Sequence, residues 1–92
     1  MLGRAVRVVV RVYTSLREKL GWSSKEVEVA GERATLAQVL SSVEVLRDLV
    51  GERLLQDFIV LVNGRNARLL KGLETELADG DVVDVFPPAA GG

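Results

Sequence analysis

Between Val6 and Tyr13 the chain alternates. Valines at 6, 8, 10 and 12 fall on one side of an extended strand, and Arg7, Val9, Arg11 and Tyr13 fall on the other. This predicts a first strand with one buried face and one mixed outer face. The spacing Ser15-x-x-Glu18 then predicts a capping box opening a short helix through Leu16–Leu20, with Gly21 as its stop. Next, Lys25 to Val29 (KEVEV) alternates charge with valine, which predicts a second, half-exposed strand near a sheet edge.

Thr35 and Gln38 form another capping-box pair, and Leu36, Val39, Leu40 and Val43 recur at helical spacing. These residues predict the main helix. The pattern allows it to run on to Leu49, or to break near Ser42 and restart as a second helix ending at Gly51. Asp57 to Gly64 (DFIVLVNG) is a β-branched run closed by Asn-Gly, a strong hairpin signal because both residues tolerate positive φ. A short return strand is expected around Ala67 to Leu70. Leu73 and Leu77 stand one helical turn apart before the turn Ala78–Asp81, and Val82 to Phe86 is the last strand.

The predicted order is ββαββ. The first and last strands would sit side by side in the middle of a mixed sheet of four to five strands, packed on one main helix. The expected class is α+β, a single domain over 1–92, with 87–92 an extended tail. With Val83 and Val85 inward, Val82, Asp84 and Phe86 point outward, as do Arg11 and Tyr13 on the first strand. Aromatics beside valines and charges on one sheet face have the make-up of a docking surface.

Composition narrows the chemistry. Twelve basic against 13 acidic side chains leave a net charge of −1, so nothing favours nucleic acid or an anionic membrane as partner. There is no Cys and no His, which removes thiolate nucleophiles, thiolate and imidazole metal sites, and the Ser/His/Asp and Cys/His arrangements. Carboxylates, lysines and the terminus remain. Arg7 and Arg11 interrupt the opening apolar run, which reads as neither a signal peptide nor a membrane span, so a cytoplasmic protein is expected. Glu74, Glu76, Asp79, Asp81 and Asp84 read as a solvated face and turn chemistry. No calcium-loop pattern and no phosphate-binding glycine loop is present, so neither metal nor nucleotide is expected on this chain.

The last stretch, DVVDVFPPAAGG, carries the most specific signal. Pro87 and Pro88 fix φ and favour an extended tail that stops the sheet. Ala89, Ala90, Gly91 and Gly92 taper to no side chain, so the tail fits a narrow channel and delivers the Gly92 carboxylate into another protein's active site. Such a tail suits a carrier better than a catalyst.

VYTSLREKLG, FIVLVNG and LADGDVVDVFPPAAGG together resemble the ubiquitin-like β-grasp sulfur carriers over nearly the whole chain, most closely the small subunit of molybdopterin synthase. The ending L-x-D-G-D-x-V-x-x-F-P-P-x-x-G-G carries this resemblance; the related thiamine-pathway carrier usually lacks F-P-P. The resemblance implies that an E1-like enzyme adenylates the terminal Gly92 at the expense of ATP, and that a sulfur donor protein converts it to a thiocarboxylate. The sulfur would then pass to a pterin precursor in the large catalytic subunit of molybdopterin synthase. It also implies that Pro87, Pro88, Ala89, Ala90 and Gly91 form the inserted tail, and that Phe86, Tyr13 and Arg11 contact partners. The chain itself would be the non-catalytic, sulfur-donating half of a complex and bind no cofactor. Two departures stand out. The tail reads PPAAGG where the family often has PPVxGG, and the segment SSVEVLRDLVGERLLQD is longer than in compact bacterial members, resembling archaeal and thermophilic versions. Some of those also modify proteins, which implies an alternative use of the same carboxylate: conjugation to target lysines.

Overall fold

The structure, a computed structural model, describes residues 3–48, 50–51 and 53–88. The valine alternation becomes strand β1 (Ala5–Val12), whose Val6, Val8, Val10 and Val12 are each no more than 2% exposed. The chain then turns at once into helix α1 (Thr14–Leu20). The predicted Ser15 capping box is not formed: Tyr13 occupies the N-cap, extended at φ −131° and ψ 157°, with no side-chain cap. Thr14 makes the turn by adopting φ 49°, which leaves Ser15 inside the first helical turn, past the point where its hydroxyl would cap. Gly21 stops the helix as expected, at φ 83° with its N–H donating to the Arg17 carbonyl.

Strand β2 (Ser24–Ala30) runs antiparallel to β1 and forms the sheet edge, with Val8 opposite Val27. A two-residue strand β3 (Ala34–Thr35) leads into helix α2 (Leu36–Ser41), and here the expected capping box is complete: the Thr35 hydroxyl and Gln38 bond each other's backbone N–H. Of the two courses left open for this helix, the structure takes the break. Ser42 ends α2, Val43 turns extended, and α3 (Glu44–Arg47) restarts, which lets Val43 and Leu46 both reach the core at 3% and 0% exposure. A further turn, α4 (Leu54–Asp57), buries Leu54 and takes Asp57 out of the predicted strand.

Strand β4 (Ile59–Val62) follows, and Asn63 and Gly64 turn the hairpin at φ 51° and 85°. Because this turn has only two residues, the return strand begins immediately as β5 (Arg65–Asn66), with Val62 opposite Arg65. The expected return at Ala67–Leu70 is therefore corrected: Ala67–Leu69 is a 3-10 turn. Leu73 lies in a second such turn, Gly72–Glu74. Leu77 sits not in a helix but in β6 (Glu76–Leu77), paired with β3.

Strand β7 (Val82–Phe86) closes the main sheet in the order β2-β1-β7-β4-β5, parallel to β1 and antiparallel to β4. This is the mixed sheet, with first and last strands adjacent, that the patterning predicts. Val83, Val85 and Val60 join the β1 valines on the inner face and are covered by Leu36, Val39, Leu40, Leu46 and Leu54. Each fully buried leucine contributes about 1.5–3 kcal/mol relative to exposure. No described helix is long and apolar enough to cross a membrane.

Candidate functional site

On the outer face of the sheet Val9, Leu61, Val82 and Phe86 stay partly exposed, and two registers decide what gathers there. In the parallel β1–β7 pair, Arg11 is opposite Asp84 and Val9 is opposite Val82. Two residues further on, Tyr13 meets Phe86. In the antiparallel β4–β7 pair, Leu61 is opposite Asp84 and Ile59 is opposite Phe86. Residues opposite one another in register share a face. The centre of the outer face is thus an apolar strip with one acid set into it, and Ile59 stands 52% exposed at its end.

Tyr13 and Phe86 stack, with ring centroids 4.3 Å apart and planes 7° from parallel. Beside them Asp84 is only 6% exposed. Its Oδ1 accepts from Arg11 Nε at 2.6 Å and from the Tyr13 hydroxyl at 2.6 Å, and its Oδ2 accepts from Arg11 Nη2 at 3.0 Å. The grouping of Asp84 with solvated acids is therefore corrected. On a central strand, flanked by β1 and β4, it is covered by the side chains that bond it. A buried carboxylate is costly unless paired and hydrogen-bonded, and these donors meet that need. Asp79 and Asp81 do serve the turn: Asp79 accepts from the Arg7 N–H and Asp81 from the Ala78 N–H, both at 2.8 Å.

The electrostatics follow from the same bonds. The Arg11 hydrogen bond holds the Asp84 carboxyl below the usual carboxylate range; burial pushes the other way, and the Tyr13 hydroxyl adds to the lowering. The Tyr13 phenol is pushed up, first by its hydrogen bond to Asp84 and then by burial. Arg11 is raised by its bond to Asp84 and stays charged. With two of its nitrogens on Asp84, its half-exposed guanidinium still offers an edge to a partner.

Of the predicted site residues, Arg11, Tyr13 and Phe86 come together in one cluster. Pro87, half-buried, and Pro88, exposed, follow it directly. Ala89, Ala90, Gly91 and Gly92 lie outside the described residues. Sequence reasoning missed Ile59 and the bonding of Asp84 to Arg11 and Tyr13. Parity alone placed Asp84 outward; only the Arg11–Asp84 register shows that the two form a pair.

Against known proteins, the profile of the ThiS family matches residues 10–92. Small archaeal modifier protein 3 of Haloferax volcanii is 40% identical over 89 residues, covering 90% of this chain and 96% of that one. A putative molybdopterin converting factor subunit 1 from Pyrococcus furiosus superposes with a TM-score of 0.70 at 28% identity, covering 91% of this chain and 99% of the other. The carrier in a crystal structure of the Amycolatopsis orientalis BexX/CysO complex superposes with a TM-score of 0.69 at 36% identity, over 92% and 99% of the two chains. The fold these chains share is the ubiquitin-like β-grasp.

Proposed function

The chain belongs to the ThiS family, and from that premise we propose that it carries sulfur on the carboxylate of Gly92 and delivers it to a pterin precursor in the large catalytic subunit of molybdopterin synthase. The observation that supports this reading is the aromatic plate of Tyr13 and Phe86, braced by Asp84 and partly exposed, immediately before Pro87 and Pro88. A partner that grips the plate receives the tail at a fixed point and in a fixed direction. Positioning of this kind turns a tethered end into an oriented reactant.

The chemistry suits a chain without Cys or His. A carboxylate is a poor electrophile until one oxygen becomes a good leaving group. In the activating enzyme, a carboxylate oxygen of Gly92 attacks the α-phosphorus of ATP and expels pyrophosphate. A persulfide sulfur of a donor protein then attacks the acyl carbon and expels AMP, giving an acyl disulfide. A thiol of a partner protein attacks the donor's sulfur in that S–S bond, releasing the thiocarboxylate and leaving a partner–donor disulfide. ATP, the sulfur and the catalytic groups all come from partners, and this chain supplies the docking plate and the acyl end.

The test incubates the purified full chain with its E1-like adenylating enzyme, ATP and a sulfur donor. The expected product has the mass of an oxygen-to-sulfur exchange at Gly92, and mixing it with the large synthase subunit converts the pterin precursor. An unchanged mass under conditions that activate a control carrier overturns sulfur carriage. A thiocarboxylate that the synthase subunit does not use overturns the pterin assignment alone.

A second reading, a protein modifier, is favoured by one observation: a relative at 40% identity is named a small archaeal modifier protein. It uses the same activated carboxylate, with a lysine amine in place of sulfur as nucleophile. Isopeptide-linked Gly-Gly remnants of this chain on cellular lysines support it, and their absence counts against it.

A further inference from the structure

From Phe58 to Leu73 the sequence holds no acid, and its three cations, Arg65, Arg68 and Lys71, fall within seven residues. All three are exposed, and none stands in an ion pair among the described residues, whereas Arg4, Arg7, Arg11, Arg33 and Arg53 each face a carboxylate. Between them lie Leu69, 84% exposed, and Leu70, 37% exposed. Arg17, Lys19, Lys25 and Arg47 likewise make no ion pair among the described residues, but Arg65, Arg68 and Lys71 are the ones set around two bare leucines.

The backbone holds this segment out. Ala67, 0% exposed, is the inward anchor of the 3-10 turn Ala67–Leu69. With about three residues per turn, an inward Ala67 leaves Arg68 and Leu69 facing solvent. The turn is locked on both sides: Asn66 Oδ1 accepts from the Arg68 N–H at 2.9 Å, and Thr75 Oγ1 accepts from the Lys71 N–H at 3.1 Å while donating to the Gly72 carbonyl at 2.7 Å. Leu69 has no route to the core without breaking these bonds. Arg65 stands on β5, the edge strand of the sheet, and β4 lies between that strand and β7, which carries Phe86.

We infer that Arg65, Arg68, Leu69, Leu70 and Lys71 form a second docking surface, which takes an acidic segment carrying an apolar side chain on one of the chain's protein partners. Charge complementarity selects the acidic partner, and the leucines between the cations select one that also buries apolar surface. A protein fits better than the alternatives. The segment has no aromatic side chain on which a base could stack, and no amphipathic helix to lie in a lipid interface. The inference rests on the sulfur-carrier reading for the identity of the partners: the adenylating enzyme and the large acceptor subunit. Since both must grip the tail, a second contact away from it is where they can be told apart.

The test uses the full chain and both purified enzymes, with adenylation and sulfur transfer measured against carrier concentration. Arg65→Glu/Arg68→Glu/Lys71→Glu is the main variant and Leu69→Ser the second. All four positions are exposed, and retained circular dichroism and melting midpoints check the fold. With at least one enzyme the charge-reversed chain is expected to raise KM roughly tenfold or more at unchanged kcat, with a flatter dependence of KM on salt than the parent chain. Leu69→Ser is expected to raise it roughly threefold to fivefold with the same enzyme. KM within about twofold of the parent chain for both variants on both enzymes overturns the second surface while leaving sulfur carriage intact. A parent chain that neither enzyme accepts overturns the carrier reading and this inference with it.

Discussion

Tyr13 lies flat against Phe86, 4.3 Å between centroids, so two aromatics from neighbouring parallel strands make one plate at the root of the tail. Neither ring belongs to the core. The plate is held from the side, through the Tyr13 hydroxyl on Asp84, and not from beneath. It therefore stays open to a partner while keeping one orientation. Stacked aromatic pairs are worth about 0.5–1.5 kcal/mol beyond their burial, so the pairing is firm without being a main source of stability.

Phe86→Ala separates docking from folding. Val83 and Val85 keep β7 in the core at 0% exposure, so the variant is expected to fold with a stability loss of about 1–3 kcal/mol for a half-buried ring. Its KM for adenylation is expected to rise roughly 30-fold, the equivalent of a 2 kcal/mol aromatic hot spot, with kcat little changed. Chemical denaturation and pyrophosphate-exchange kinetics read the two effects. A normal KM in a folded variant removes Phe86 from the docking surface.

The acid limb of stability should report Asp84. Its folded carboxyl lies below the ordinary value of 3.8, chiefly because of Arg11, so the unfolded chain takes up a proton first as pH falls. The stabilisation is therefore fully present well above 3.8 and is lost as pH drops from there through the folded value. In Asp84→Asn that dependence vanishes. The gap between parent and variant melting midpoints is expected to be widest near neutrality and to narrow below pH 3.8. A gap constant with pH would show that packing at residue 84, not its charge, carries the effect.

The alkaline limb has the opposite sign and its own reporter, because Tyr13 is the single tyrosine of the chain. The hydrogen bond to Asp84 raises its phenol above 10, so the contact stabilises the fold below pH 10 and is lost as pH rises through the folded value. Phenolate absorbance is expected to titrate above 10 in the parent chain and to move back toward 10 in Asp84→Asn. Tyr13→Phe keeps the stack and loses the hydroxyl, at an expected cost of about 1 kcal/mol. A midpoint unmoved by Asp84→Asn contradicts the bond.

Much of this fold was legible because its signals are local. The even valines of β1, the Thr35–Gln38 box, Gly21 and the Asn63-Gly64 turn each act within a few residues, and each forms as the pattern predicts. The failures are tertiary. Ser15 had the right spacing for a cap, but the demand that Tyr13 stay extended moved the helix start by two residues. Asp84 looked like one acid among five: the patterning sets the last strand beside the first and turns Asp84 to the same face as Arg11 and Tyr13, but it does not supply the register that pairs them. Leu77 satisfied a helical spacing yet pairs across to Ala34, a partner far away in sequence.

Thr14 carries the cost of that displaced helix start. It is β-branched and sits at φ 49°, where its Cβ crowds the neighbouring carbonyl, a conformation that costs about 1–2 kcal/mol outside glycine, asparagine and aspartate. The geometry explains why it is kept. Tyr13 must remain extended to reach Phe86 and Asp84, and α1 must begin at the next residue, so the whole reversal falls on Thr14. Thr14→Asn, which tolerates this region, is expected to stabilise by about 1 kcal/mol and raise the melting midpoint by about 4–8 °C. Thr14→Val, still β-branched, should bring no gain. Thr14→Pro, which fixes φ near −65°, should lower the midpoint and release Tyr13 from Asp84, seen as a phenol titrating closer to 10. If Asn brings no gain and Pro no loss, the turn at Thr14 is not what aims the plate.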